Sequence, residues 1–190
     1  NPLTTEGKKT VSFELAEQLD WEVPSAVVVS VGDGSIIGGV YKGFVDMLNM
    51  GWIERIPRLV GVQAVGSSPL VHAWEKGLAP QAMQPVDAHT IADSISSGLP
   101  RDRAKALRAV RESGGALVRV SDDAILAAIP ELAQGCGVFA EPAAAAAYAG
   151  LKQALAAGYI QPMDRVALLV TGSGLKDVPS AMKSVGQAER

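Results

Sequence analysis

Four short runs of aliphatic and β-branched residues punctuate the chain: SAVVVSV at 25–31, RLVGVQAV at 58–65, ALVRV at 116–120 and RVALLVTG at 165–172. They carry few charges and lack polar alternation, so they predict strands covered on both faces, as in a parallel sheet between layers of helix. Between them the apolar positions return every three or four residues. Ile37, Val40, Tyr41, Phe44, Met47 and Leu48 fall on one face and predict a helix over 37–48. SSPLVHAWEKG offers a serine cap at Ser68, a proline at the first helical position and Gly77 as the stop. RDRAKALRAVRESGG ends on Gly114 with basic residues in its later turns, and SDDAILAAI opens on Ser121 with two acids behind it. EPAAAAAYAGLKQALAAG starts at Pro142 and closes on Gly158; its alanines predict a closely packed helix. The stretch 77–100, rich in Pro, Gly and Ser, reads as a long excursion over the surface. Alternating strands and helices predict an α/β fold of three layers, a mostly parallel sheet with helices on both faces.

A parallel sheet binds its ligands at the carboxyl ends of its strands. That rule selects two turns, VGDGSIIGG after the first strand and TGSGLKD after the last. In the first, Gly32, Gly34, Gly38 and Gly39 would allow positive φ and close approach to a ligand. The following helix start offers unpaired N–H groups to an anion, and Ser35 adds a hydroxyl. A nucleotide-hydrolase loop would need a lysine followed by Ser or Thr, which this turn lacks. A dinucleotide fingerprint would need one residue less between the second and third glycines, and an acid after the second strand, where Val65-Gly66-Ser67 stands. Asp33 would repel a phosphate, so its carboxylate should turn to a helix cap or a solvent-side donor.

Composition narrows the class. With 190 residues, 48% of them apolar and 19% charged, the chain has the makings of one substantial core. A net charge of −3 gives no footprint for nucleic acid or an anionic membrane. One cysteine, Cys136, permits no internal disulfide, fits a reducing cytoplasm and reads as a small buried residue. His72 and His89 have no metal-ligand spacing and read as surface or capping residues. Trp21, Trp52 and Trp74 read as packing anchors near helix ends, Trp52 also as a candidate for a dimer contact. Lys42 and Lys176 read as solvent-facing charges.

The runs VVVSVGDGSIIGGVYKGF, RIPRLVGVQAVGSSPLVHAWEKG, HTIADSISSGLP, GVFAEPAAAAAYAGL and ALLVTGSGLKD, in this order, resemble the threonine synthases. More broadly they resemble the pyridoxal-phosphate enzymes of the tryptophan-synthase β-like type (fold type II). The opening EGKKTVSFELAEQLDW is also similar to the segment that precedes the phosphate loop in that family. The resemblance implies a pyridoxal 5′-phosphate cofactor, with Gly32, Asp33, Gly34, Ser35 and Ile36 around its phosphate and Thr171 at its pyridine nitrogen. It implies a small amino-acid substrate, a homodimer in the intact enzyme, and conversion of O-phosphohomoserine and water to threonine and phosphate. Glu141, in the G-x-F-x-E-P motif, either faces the cofactor or only caps its helix. Two departures bear on the substrate: the family often carries an amide where Asp33 stands and a histidine where Ser173 stands. The Schiff-base lysine of the family belongs to a motif upstream that none of the lysines here matches. By this resemblance residues 1–190 form one α/β domain, the C-terminal large-domain portion of a longer enzyme, catalytically silent alone. Threonine or serine dehydratases, diaminopropionate ammonia-lyase, and a non-catalytic phosphate-binding domain remain as alternatives.

Overall fold

The computed structural model describes residues 2–186; Asn1 and residues 187–190, which the 1–190 domain reading includes, lie outside them. Among the described residues, β1 (Ala26–Ser30), β2 (Arg58–Ala64), β3 (Ala116–Val120) and β4 (Val166–Leu169) form one sheet in the order β3-β2-β1-β4. Every pairing is parallel, as the unbroken apolar runs predict.

Eight α-helices accompany the described strands: α1 (Pro2–Lys8), α2 (Thr10–Gln18), α3 (Ser35–Asn49), α4 (Pro69–Glu75), α5 (Arg103–Glu112), α6 (Asp122–Cys136), α7 (Pro142–Ala156) and α8 (Val178–Ser184). Successive residues of a strand face opposite sides, and the sheet accordingly divides two cores. Val27, Val29, Val31 and Leu59 join Ile37, Phe44 and Met47 of α3 and Leu107 of α5 on one side. Ala26, Val28, Val60 and Val62 meet Ile125 and Ile129 of α6 and the alanines of α7 on the other. The alanine run is the close-packed helix its composition predicts. At Gly150 a side chain would begin 2.2 Å from Val62 Cγ2, so α7 lies directly against β2. The strand order explains the two layers. The chain moves outward from β1 to β3 and then returns to the far side of β1, and crossovers of constant hand must then change face.

Three elements depart from expectation. Strand β4 is only partly buried along its length, unlike the other three strands. Helix α6 does not stop at Ile129 but runs through Pro130 to Cys136, and Gly137 ends it at φ +72°. Stretch 77–100 does not merely cross the surface. It buries Met83, Ala92 and Ile95 and is stitched to the strand ends by Ser97 N donating to Ser67 Oγ at 2.9 Å and His89 N to Gly66 O at 3.0 Å. Asp122, one of the two acids after Ser121, anchors it by accepting from Thr90 Oγ1 at 2.6 Å and Ile91 N at 3.1 Å.

Candidate functional site

Because β2 and β4 flank β1 on opposite sides, the chain leaves the carboxyl end of β1 where strand order reverses, the position at which such sheets open a crevice. A cavity of about 400 Å³ lies there. It is lined by the β1–α3 turn (Gly32, Asp33, Gly34, Ser35, Ile36), by Thr171 after β4, by Ser94–Ser97, and by Lys8, Ser30, Glu141 and Lys176. The two turns chosen from the sequence therefore share one cavity, and its size suits a small ligand.

Local structure explains the first turn. Of its four glycines only Gly34 has positive φ, +88°, as the residue preceding α3. Gly32 serves close approach instead: a Cβ there would lie 2.9 Å from Ile95 Cα. Gly38 and Gly39 do not face a ligand. Side chains at these positions would meet Lys105 Cβ at 2.9 Å and Lys8 Cβ at 2.7 Å, so they let α5 and α1 pack against α3. Asp33 is engaged away from the helix start. Its Oδ1 accepts from Ser97 Oγ at 3.1 Å and Arg101 N at 3.3 Å, which ties the turn to the segment before α5.

The second turn is held by the segment preceding α7. Glu141 N donates to Gly172 O and Gly174 N to Phe139 O, each at 3.0 Å. The Glu141 side chain makes no helix-capping bond, so the cap reading fails. It is 6% exposed, lines the cavity and pairs with Lys176 Nζ at 2.8 Å, and it fills the space a side chain on Gly172 would need. Lys176 is exposed, as expected of a solvent-facing charge, and its ammonium also pairs with this buried carboxylate. Lys42, read as a solvent-facing charge, forms surface bridges to Glu6 at 3.0 Å and Asp46 at 2.9 Å.

Two polar groups that sequence reasoning missed also line the cavity. Ser30, in the last position of β1, is 2% exposed, and its Oγ has no hydrogen-bond partner among the described residues. A buried hydroxyl left unpaired costs roughly 1–3 kcal/mol, so an orphan at the wall of a cavity marks where a ligand's polar atom would be received. The other is Lys8, whose Nζ donates to Ser35 Oγ at 2.7 Å. Exposed backbone donors at the start of α3, a cation and an unpaired hydroxyl together fit a small phosphorylated molecule.

Other candidates stand elsewhere. His72 and His89 are exposed, as expected. Cys136, expected to be buried, is exposed because it closes α6. Trp21 and Trp52, read as packing anchors, are about half exposed and pack edge to face on each other at 5.5 Å. Ser68 does not cap α4: its hydroxyl donates back to Val65 O at 3.2 Å. The cap comes from Gln63, fully buried in β2, whose Oε1 accepts from Leu70 N at 2.9 Å and Val71 N at 3.2 Å. Among the described residues no helix is long and apolar enough to cross a membrane.

The family described as "Pyridoxal-phosphate dependent enzyme" matches residues 1–172. The chain belongs to that family, and its cofactor is pyridoxal phosphate. It is 40% identical over 184 residues to a threonine synthase of Methanocaldococcus jannaschii, covering 97% of this chain and 45% of that protein. It is 42% identical over 177 residues to a threonine synthase of Methanosarcina acetivorans, covering 93% of this chain and 44% of that protein. The chain thus spans about half the length of the curated relatives it matches. Among solved structures, the processed form of threonine deaminase isoform 2 from Solanum lycopersicum superposes with a TM-score of 0.78 at 21% identity, over 100% of this chain and 51% of that one. A fungal L-serine ammonia-lyase from Rhizomucor miehei gives 0.73 at 24% identity, over 89% and 51%. These likenesses show the shared fold, and the α/β, three-layer expectation agrees with them.

Proposed function

We propose that this chain forms the cofactor-holding half of a threonine synthase-like lyase, which converts O-phosphohomoserine and water to threonine and phosphate. The observation that carries the reading is the convergence of the β1–α3 turn and Thr171 on one cavity at the strand-order reversal. The substrate class rests on the 40% and 42% identities to threonine synthases along nearly the whole chain.

In this reading the N–H groups of Gly32–Ile36 hold the cofactor phosphate, with Gly34 giving the backbone its path. Asp33, bound to Ser97 and Arg101, is kept off the anion. Thr171 meets the pyridine nitrogen with a neutral hydroxyl, which does not hold that nitrogen protonated as a carboxylate would. Pyridoxal phosphate, when bound, supplies an electron sink for carbanions formed on an amino acid. A neutral partner moderates that sink and favours elimination and replacement over transamination. Glu141 and Lys176 brace the 171–174 turn, and the covalent lysine of the family is supplied from outside these residues.

The test is product analysis of the protein carrying this chain, incubated with O-phosphohomoserine. Threonine and inorganic phosphate in equal amounts are expected. A 2-oxo acid and ammonia from serine or threonine, without turnover of O-phosphohomoserine, would transfer the site to a dehydratase. Thr171→Ala should lower turnover about tenfold or more while leaving the melting temperature within about 2 °C, since the side chain is exposed and its loss opens no core cavity.

A further inference from the structure

The backbone cradle is joined by one side-chain cation whose surroundings call for a partner. Lys8 closes α1, and its ammonium reaches across to the first residue of α3, donating to Ser35 Oγ at 2.7 Å. Its placement is built in, because Gly39 alone leaves room for the Lys8 Cβ against α3. Among the described residues no carboxylate pairs with it, whereas Lys9, Lys42, Lys105, Lys152 and Lys176 each hold one. Position in the last turn of α1 suits that short helix, yet the ammonium itself lies at the opposite pole of a longer one. The start of α3 carries partial positive charge and unpaired N–H groups, which oppose a bare cation there. An anion placed between them reverses the sign of every one of these interactions. The unpartnered, buried Ser30 hydroxyl on the same cavity independently marks a ligand's position.

We propose that Lys8, steadied by Ser35, binds a phosphate monoester dianion in this cavity and makes the cradle selective for charge. The proposal rests on the reading of the cavity given above. Backbone N–H groups hydrogen-bond any phosphate, but a full positive charge favours the dianion over neutral counterparts. Ser35 contributes a second contact, since a hydroxyl that accepts from Lys8 keeps its own proton to donate to a phosphate oxygen. The phosphate could be carried by the cofactor or by a phosphorylated amino acid.

Calorimetric titration of the protein carrying this chain, freed of cofactor, distinguishes the two. The probes are pyridoxamine 5′-phosphate against pyridoxamine, and O-phospho-L-homoserine against L-homoserine; none has an aldehyde that could react with other lysines. In one pair, Lys8→Gln should cut the preference for the phosphorylated member about tenfold, Lys8→Arg should keep most of it, and added salt should shrink the difference. The affected pair identifies the phosphate's carrier. An unchanged preference in Lys8→Gln, together with its loss in Gly34→Val, would overturn the role of Lys8 and leave the cradle standing. A wild-type protein with no preference in either pair would overturn both.

Discussion

At Gly34 the backbone takes φ +88°, and a side chain there would begin 2.8 Å from Ala106 Cβ and 3.1 Å from Asp102 O. Gly34→Val therefore combines a left-handed conformation that β-branched residues avoid with a clash against α5. About 2–4 kcal/mol of stability should be lost in urea unfolding. Affinity for pyridoxamine 5′-phosphate should fall with it, measured under conditions where the variant remains folded. Residues of this kind were legible in the sequence: glycines clustered after an apolar run mark a turn whose conformation other residues resist, and Thr171 stood at the equivalent place after another run. Ser30, Lys8 and the Glu141–Lys176 pair were not legible as a group. Lys8 reaches Ser35 from 27 positions away, and Ser30 is only one small polar letter inside a strand. Their meaning depends on where side chains end, which periodicity does not carry.

Gln63 shows the same limit among the elements. From the sequence, Ser68 before Pro69 is the natural cap for α4, yet the N–H groups of Leu70 and Val71 are met by a fully buried strand glutamine, which also donates to Val31 O at 3.2 Å. Gln63→Leu would orphan these groups beside the site. A loss of about 2–4 kcal/mol is expected in denaturant unfolding, with faster hydrogen exchange confined to α4. Helix α3 is joined to α1 and α2 by a different device. Asp46 accepts from Lys9 and Lys42, each at 2.9 Å, and both lysines also pair with Glu6. Partial burial would raise the Asp46 pKa, but the hydrogen bonds from Lys9 and then Lys42 outweigh it and hold the carboxyl below its usual range. A lowered folded-state pKa means the contribution is fully present above the unfolded value and disappears as pH falls through the folded one. Asp46→Asn should therefore unfold at lower urea concentration than wild type at neutral pH. The gap should close as pH drops below the ordinary carboxylate range, about pH 3 and under. A gap that persists there would show that the aspartate acts through packing.

For the whole molecule, apolar runs were enough to find the four strands and apolar periodicity to find α3, while caps, prolines, stop glycines, terminal charges and alanine content marked α4 to α7. Pattern alone did not show that 77–100 folds over the cavity. Its hold comes from backbone bonds to Gly66 and Ser67 and from Asp122, none of which leaves a periodic trace. Strand order was equally hidden, yet it brings the two chosen turns to one crevice by placing β2 and β4 on opposite sides of β1. The central claim is that these turns grip the two ends of a single cofactor. A crystal structure with pyridoxamine 5′-phosphate tests it most directly. The phosphorus should lie at the start of α3, with phosphate oxygens about 3 Å from backbone nitrogens of Gly32–Ile36 and the ring nitrogen about 3 Å from Thr171 Oγ1. A phosphate bound elsewhere, or a ring nitrogen out of hydrogen-bond reach of Thr171, would contradict it.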